Sequence, residues 1–157
     1  MAIRVCKLPK SALQGLAKAY QFTFYSDPMP STNDLEGWLG ETEGALIQLA
    51  AMILNPAQAQ AAAAAAGLAG VAYGLMRLLN NLPQAYALKQ NFLPAEAVAA
   101  AGLDPRAIVP ARDAGALKAP LADLRELAAK RLAEARQLRA TIGPEIFPAF
   151  LHVGLTG

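Results

Sequence analysis

The stretch RLLNNLPQA, residues 77–85, collects the side chains of this sequence that are best suited to bind a ligand. They recur at three- and four-residue steps, which is the spacing of one helix face. An arginine and several carboxamides can hold an anion or one another, but without carboxylates they hold a hard metal ion poorly. The sequence therefore predicts a ligand site with no metal ligands and no catalytic residue. Its candidate residues are Tyr73, Arg77, Asn80, Asn81 and Gln84.

The bulk composition limits the classes of function. With 157 residues the chain has the size of one domain, and its net charge of only +2 comes from scattered basic residues, so we expect no nucleic-acid partner. The single Cys6 and the single His152 exclude an intramolecular disulfide and a zinc site of the usual kind. Because the N-terminus has no signal-peptide core, we predict a cytoplasmic protein, with contact to a membrane surface as one option.

Alanine and leucine dominate the sequence and strand-forming residues are few, which predicts an all-α fold. Apolar residues at helical spacing predict a first helix over residues 11–25, ended by the turn SDPMP. A second helix is predicted to begin near Asn33, with Glu36 as its capping-box partner. Asn55 then caps the next helix, which has Pro56 at its first position.

The segment 56–82 is predicted to be one long helix at the centre of a bundle, with antiparallel neighbours. Its uncharged run and the spacing of Gly70 and Gly74 also fit a membrane span. We favour the bundle and predict no transmembrane span, because alanine contributes little to insertion and two glutamines interrupt the run. The glycines would then let neighbouring helices approach closely or leave room for an apolar ligand.

The last third of the chain is predicted to be helical, with one long loop. A short helix after Pro94 ends at Gly102, which has the position of a C-terminal cap. Residues 102–120 hold many prolines and glycines and are predicted to form a mobile loop. An amphipathic helix over 121–141 follows, with its charged residues facing solvent. A last apolar helix that stops at Gly157 suggests that the chain is a piece of a longer protein.

Three blocks of sequence, in a fixed order, carry a resemblance to a known family. They are GETEGALIQLAAMIL, GLAGVAYGLMRLLNNLPQAYALKQNFLPAEAVAAAGLDP and LADLRELAAKRLAEARQL. Together they resemble the second half of the squalene/phytoene synthase family, in which NFLP at 91–94 stands at the family's Tyr-Leu-Pro. The resemblance implies one partial domain over residues 1–157 with part of the all-α isoprenoid-synthase bundle. The members of this family join two prenyl diphosphates head to head, so the resemblance also implies a relationship to enzymes of isoprenoid biosynthesis.

Active members of that family need Mg²⁺ held by two Asp-rich motifs, so that diphosphate can leave as an anion. The first motif belongs to a part of the family upstream of this chain. Aligned from Gly70 to Pro94, the second motif, Arg-Asp-x-x-x-Asp, falls on Asn80, Asn81 and Ala85. Neutral side chains replace each metal-binding carboxylate, so we expect no Mg²⁺ and no other cofactor.

The pattern at 77–85, with Leu82-Pro83 inside it, resembles a divergent branch of the superfamily that includes a mitochondrial complex I assembly factor and bacterial relatives. That branch keeps the fold and lacks the aspartates. The resemblance implies a catalytically silent binding or assembly protein. The alternative is an active prenyltransferase of the squalene/phytoene synthase type, whose first Asp-rich motif lies upstream of this chain.

Two interpretations of the candidate site stay open. Its side chains hydrogen-bond one another and a backbone kinked at Pro83, or Arg77 binds a prenyl diphosphate or an acidic lipid without metal. In the second case the tail would lie along the glycine and alanine face of 56–82. Uncovered apolar surface predicts a further partner, either a second copy of the chain or another protein.

Overall fold

The computed structural model describes Cys6, residues 8–25 and residues 27–156. Within these ranges the protein is mostly helical and has no β-strand beyond an isolated bridge between Met29 and Pro94, which confirms the predicted all-α fold. The eight α-helices of the described residues are α1 (Lys10–Tyr20), α2 (Thr32–Leu39), α3 (Ala45–Leu54), α4 (Pro56–Ala61), α5 (Ala63–Asn80), α6 (Leu82–Ala87), α7 (Ala95–Ala100) and α8 (Pro110–Gln137). Tighter 3₁₀ turns cover Gln21–Phe24, Arg139–Thr141 and Phe147–Thr156, and a π-helical turn, Gly40–Gly44, joins α2 to α3.

Helix α5 lies at the centre of the bundle and contributes to both halves of the hydrophobic core. Leu75, near its end, belongs to the same buried cluster as Leu117, near the start of α8. Ala65, near the start of α5, belongs to a second cluster with Ala135, near the end of α8. The two helices are therefore antiparallel, as the sequence predicts for a neighbour of the central segment.

Helix α5 is long and apolar enough to cross a membrane by length and composition. Half of its residues are nevertheless buried inside the fold, and the core helix of a globular protein passes the same test. Its alanines and glycines allow neighbours to pack closely on several of its faces. That α5 spans no membrane stays a prediction.

Two glycines decide how closely α5 approaches the π-helical turn. A Cβ atom on Gly70 would collide with the backbone of Gly44, and one on Gly74 would lie 3.1 Å from Cγ of Glu43. The contact is therefore backbone against backbone at Gly70, where any side chain would separate the two elements. Of the two roles predicted for the glycines, the structure has the close helix approach. The turn covers this face of α5 at Gly70, and whether a lipid tail binds along the rest of the face stays a prediction.

The segment 56–82 is not one helix, so that prediction is wrong in its continuity. The chain leaves regular helical geometry at Ala62 and again at Asn81, on either side of α5. The second break confirms the predicted interruption near Pro83, which occupies one of the first positions of α6. The predicted cap at Asn55 is also confirmed, because its side-chain oxygen accepts hydrogen bonds from the two N–H groups that follow Pro56.

The start of α2 differs from the predicted cap at Asn33, which is wrong. Ser31 is the cap instead, and its hydroxyl accepts a hydrogen bond from the N–H of Asp34 at 3.1 Å. Glu36 therefore has no capping role and pairs with Arg131 of α8, whose guanidinium reaches both of its carboxylate oxygens. Arg131 is thus half-buried between two helices, not on the solvated face where its position in the amphipathic pattern places it.

The loop predicted over 102–120 is shorter in the structure. Gly102 has a φ of 77°, which confirms it as the left-handed cap after α7. Helix α8 then begins at Pro110, so the second half of the predicted loop is helical and that prediction is wrong. Asp113 explains the early start, because its carboxylate accepts a hydrogen bond from the N–H of Val109 at 2.7 Å and caps the helix. The mobility of the remaining loop stays a prediction.

Tertiary packing also overrides the proline inside α8. A proline in a helix interior removes one backbone hydrogen bond and costs about 3 kcal/mol. Pro120 is buried, however, and it lies between the buried Leu117 and Leu124 on the side of α8 that faces the core. Burial of two leucines offsets a cost of that size, since each contributes about 1.5–3 kcal/mol.

The sequence predicts a helix for the last apolar segment, and the structure has the 3₁₀ run Phe147–Thr156 there. Phe150 and Val153 are buried in the cluster that surrounds Ala65. The helical period is therefore tighter than that of an α-helix, and the large apolar side chains of the segment are divided, because Phe147 and Leu151 are exposed.

Candidate functional site

A small pocket of about 160 Å³ opens at the C-terminal end of α5. Helices α1, α2, α5 and α6 line it together with the 3₁₀ turn Gln21–Phe24 and the segment that precedes α7. Its lining is apolar except for a few side chains near Arg77. The lining residues are Tyr20, Thr23, Trp38, Leu39, Gly74, Arg77, Leu78, Asn81, Ala85 and Phe92.

The charged group of this pocket is not free. The guanidinium of Arg77 donates a hydrogen bond to Oε1 of Glu43, from the π-helical turn, and forms an ion pair with it. The side chain of Glu43 is only 6% exposed, whereas that of Arg77 is 46% exposed. A buried carboxylate needs a partner of opposite charge, so Arg77 is committed to Glu43.

The π-helical turn explains why Glu43 points into the protein. In a regular helix with one apolar face, three consecutive residues are not all buried, because each step rotates the side chain by about 100°. Here Thr42, Glu43 and Gly44 are all buried. The hydroxyl of Thr42 donates to the carbonyl of Trp38 at 2.8 Å, a bond that bends helices. The wider turn thus aims an acidic residue at α5, and π-helical turns are frequent at functional sites.

Tyr20 lies beside the ion pair. Burial raises the pKa of its phenol, and the charge of Glu43 adds to the rise while the charge of Arg77 lowers the pKa. The phenol is therefore protonated at neutral pH and can donate or accept a hydrogen bond at the pocket. Together, Tyr20, Glu43 and Arg77 form what we call the Glu43–Arg77 site.

The rings of Trp38 and Phe92 form an aromatic wall of the pocket. Trp38 stacks on Phe92 with ring centroids 5.5 Å apart, and Phe22 lies 6.0 Å from Trp38. The indole N–H of Trp38 donates to the carbonyl of Ala19 at 2.9 Å, which fixes the ring between α1 and α2. The wall is thus apolar, and it suits a hydrocarbon more than a polar ligand.

The structure brings together two of the five candidate site residues. Arg77 and Asn81 both line the pocket, but the amide of Asn81 donates to the carbonyl of Arg77 at 2.8 Å and so closes the end of α5. Asn80 and Gln84 are exposed and do not belong to the pocket lining. Tyr73 lies away from the pocket, where its ring meets the edge of His152 with centroids 4.7 Å apart.

Glu43 is the residue that the sequence interpretation missed. The signal was nevertheless present, because no charged residue lies between Glu43 and Arg77 in the sequence. Two opposite charges at the ends of an uncharged run are natural partners if the run folds back on itself. The pairing could not be deduced without knowing that the segments containing them lie side by side.

Comparison with known proteins places this bundle in a family. The fold is similar to the crystal structure of squalene synthase HpnC from Alicyclobacillus acidocaldarius, with a TM-score of 0.78 at 16% identity. The similarity covers 98% of this chain and 59% of that one, so the architecture is a partial isoprenoid-synthase-like bundle. The whole chain, residues 1–157, matches the family model for squalene/phytoene synthase. The chain therefore belongs to the squalene/phytoene synthase family. Among curated proteins, none matches its sequence.

The donor atoms of the site do not fit the Mg²⁺ that active members of the family use. Among the described residues, no three His, Cys, Asp or Glu side chains form a group that could hold a metal ion. Glu43 is the one carboxylate next to the pocket in this part of the chain, and Arg77 already neutralises it. Asn81 and Ala85, the positions on which the motif's aspartates fall by the family resemblance, line the pocket and carry no charge.

Proposed function

We propose that this protein is a binding or assembly factor that keeps the family fold without metal-dependent prenyl transfer. The Glu43–Arg77 ion pair supports this proposal. Metal-assisted departure of diphosphate needs several carboxylates that face a metal ion. Here a fixed guanidinium neutralises the one carboxylate at the described pocket. The positive charge of Arg77 therefore balances the negative charge of Glu43, and no unpaired carboxylate of the described pocket remains to bind a metal ion.

The same pair limits what Arg77 can bind. An anionic headgroup at Arg77 would have to compete with Glu43, and the displaced carboxylate would stay buried without a partner. Such a group costs several kcal/mol, so a prenyl diphosphate or an acidic lipid binds Arg77 only weakly without metal. The proposed role of the pair is structural, and the pocket beside it is a small apolar cavity.

The exposed apolar residues of α3 support the assembly part of the proposal. Leu46, Ile53 and Leu54 are 43%, 50% and 45% exposed. Apolar surface of this kind is typical of a contact with another protein or with a second copy of the chain. We propose that the protein is cytoplasmic and that this surface can also contact a membrane peripherally.

The alternative is an active head-to-head prenyltransferase, and the aromatic wall of Trp38 and Phe92 favours it, because that wall could shield an allylic cation. Diphosphate release decides between the two. The full-length protein is incubated with farnesyl diphosphate and Mg²⁺, and released diphosphate is measured by an enzyme-coupled assay. We expect no release above the rate without protein. Repeated turnovers, with a thirty-carbon product detected, would establish the alternative instead.

A further inference from the structure

A second cavity, of about 540 Å³, lies on a different face of α5 from the Glu43–Arg77 site. Its floor contains Ala65 and Ala69, and its walls come from the end of α8 and from the 3₁₀ run Phe147–Thr156. Ala65 and Ala69 lie on a different face of α5 from Gly74 and Arg77, because 100° per residue places the two pairs about 130° apart, and the two cavities share no lining residue. The cavity is therefore independent of the proposed function.

The cavity continues along α8 as a groove. A neighbouring space of about 380 Å³, lined by Ala72 and Met76 of α5, shares Leu132 and Arg136 with it. The two spaces form what we call the α5–α8 groove. Its volume falls within the range of about 300–1,000 Å³ that is usual for ligand sites. Alanine side chains leave this room between two helices that otherwise pack tightly.

The arginines of the groove differ from the other arginines of the described chain. Four arginines form ion pairs with carboxylates, and these are Arg77, Arg106, Arg112 and Arg131. The three described arginines without a carboxylate partner all line the groove, and these are Arg125, Arg136 and Arg139. No aspartate or glutamate is among the lining residues that the structure describes. The groove therefore combines an apolar interior with an uncompensated positive rim.

The mouth of the groove is also apolar on one side. Phe147 and Leu151 line it and are 45% and 59% exposed. Large apolar side chains at such a mouth remain in water unless a ligand covers them. A hydrocarbon chain would cover them, and an anionic headgroup would neutralise Arg136 and Arg139 at the same end.

We propose that the α5–α8 groove binds a single anionic amphiphile, with its alkyl chain over the alanines and its headgroup at Arg136 and Arg139. A guanidinium suits a phosphate or carboxylate headgroup, because it offers a planar fork of donors. The shape and charge of the groove match one amphiphile monomer, because the alkyl chain of the ligand would lie between two helices and not on a flat surface.

Isothermal titration of the full-length protein tests this site. The probe is dodecyl phosphate below its micelle concentration, and dodecyl maltoside serves as the uncharged probe of equal chain length. We expect one saturable site for dodecyl phosphate and at least tenfold weaker binding of the maltoside. Replacing both arginines, Arg136→Gln and Arg139→Gln, should weaken dodecyl phosphate by about tenfold for each charge removed.

The double variant Lys118→Gln and Lys130→Gln is the matched control, because it removes the same charge from exposed positions of α8 outside the groove. It should bind dodecyl phosphate as the unmodified protein does. Equal weakening in both double variants, or no saturable binding at all, overturns the proposal. If the arginine variant loses its helical circular dichroism, Leu151→Ser tests the site instead. Leu151 is exposed, so the substitution should leave the fold intact, and the loss of its apolar contact should weaken the binding of dodecyl phosphate about fivefold.

Vesicles distinguish a monomer site from a membrane surface. Sedimentation is measured with phosphatidylcholine vesicles and with vesicles of equal parts phosphatidylcholine and phosphatidylglycerol. Binding to the acidic vesicles without binding of the dodecyl phosphate monomer would assign Arg136 and Arg139 to a membrane contact and overturn the groove site. Monomer binding that the arginine variant loses supports it, whatever the vesicles show.

Discussion

The carboxylate of Glu43 and the guanidinium of Arg77 pair across the interface between the π-helical turn and α5, and no charged residue lies between them in the sequence. Gly70 allows this pairing, because its missing side chain lets the turn lie against the backbone of α5. The pair stands at the end of α5 where active relatives would have metal-binding aspartates by the family resemblance.

The first prediction concerns the energy of this ion pair. Arg77→Met should lower the free energy of unfolding by about 2 kcal/mol, because it leaves Glu43 buried and unpaired; the exposure of Arg77 keeps the loss below that of a fully buried pair. The measurement is urea unfolding followed by circular dichroism. The double variant Glu43→Gln with Arg77→Met should recover about half of the loss. A double variant that is less stable than Arg77→Met would contradict the pairing.

The second prediction compares two glycines of the same helix. Gly70→Ala should lower the free energy of unfolding by about 3 kcal/mol, because the new Cβ would collide with the backbone of Gly44. Gly67→Ala is the matched control, because a Cβ there meets nothing within 4 Å. It should stabilise the helix by about 0.5–1 kcal/mol through the better helix propensity of alanine. Similar melting temperatures for the two variants would refute the close contact.

The third prediction concerns metal. Mg²⁺ at millimolar concentration should not raise the melting temperature of the full-length protein beyond the effect of NaCl at the same ionic strength. A ligand that binds only the folded state would raise it. Asn81→Asp with Ala85→Asp is the matched variant, because it places carboxylates at the two pocket positions on which the motif's aspartates fall by the family resemblance, and its melting temperature should rise with Mg²⁺. A specific rise with Mg²⁺ in the unmodified protein would falsify the interpretation of a lost metal site.

The fourth prediction concerns stability at high pH. Burial raises the pKa of Tyr86 from 10.0 to about 12, and the charge of Asp113 adds to the rise. Below the pKa of the unfolded phenol both states are protonated, and this contribution to stability is complete. Above it the unfolded state ionises first, so the free energy of unfolding falls as the pH rises from 10.0 to about 12.

Tyr86→Phe supplies the control for that pH dependence. The hydroxyl of Tyr86 is buried without a hydrogen-bond partner among the described residues, so its removal should cost little at neutral pH. The variant should lose less stability than the unmodified protein between neutral and alkaline pH, as measured by thermal unfolding. An identical decline in the two proteins would mean that other groups cause it.

Local sequence determined most of the helices of this protein. Helical spacing of apolar residues, the cap at Asn55 and the left-handed Gly102 are short-range features, and each depends on a few neighbouring residues. The family resemblance also follows from the order of local blocks. Neutral residues at Asn81 and Ala85 are equally a property of the sequence, so the prediction that the metal-binding motif is lost needs no structure.

Tertiary structure decided what local signals could not. Pro110, Pro120 and the intervening glycine indicate a loop, but α8 forms there because Leu117 and Leu124 gain more from burial in the core than the proline costs. Propensity acts over a few residues, whereas burial depends on elements that are distant in the sequence.

The candidate site shows the same division. The sequence identified Arg77 and Asn81 as members of one helix face, but helical spacing alone grouped them with Asn80 and Gln84, which are exposed. Glu43, the partner of Arg77, lies in a turn 34 residues earlier in the sequence. Only the approach of that turn to Gly70 selects it, because charges pair according to distance and burial in the folded state.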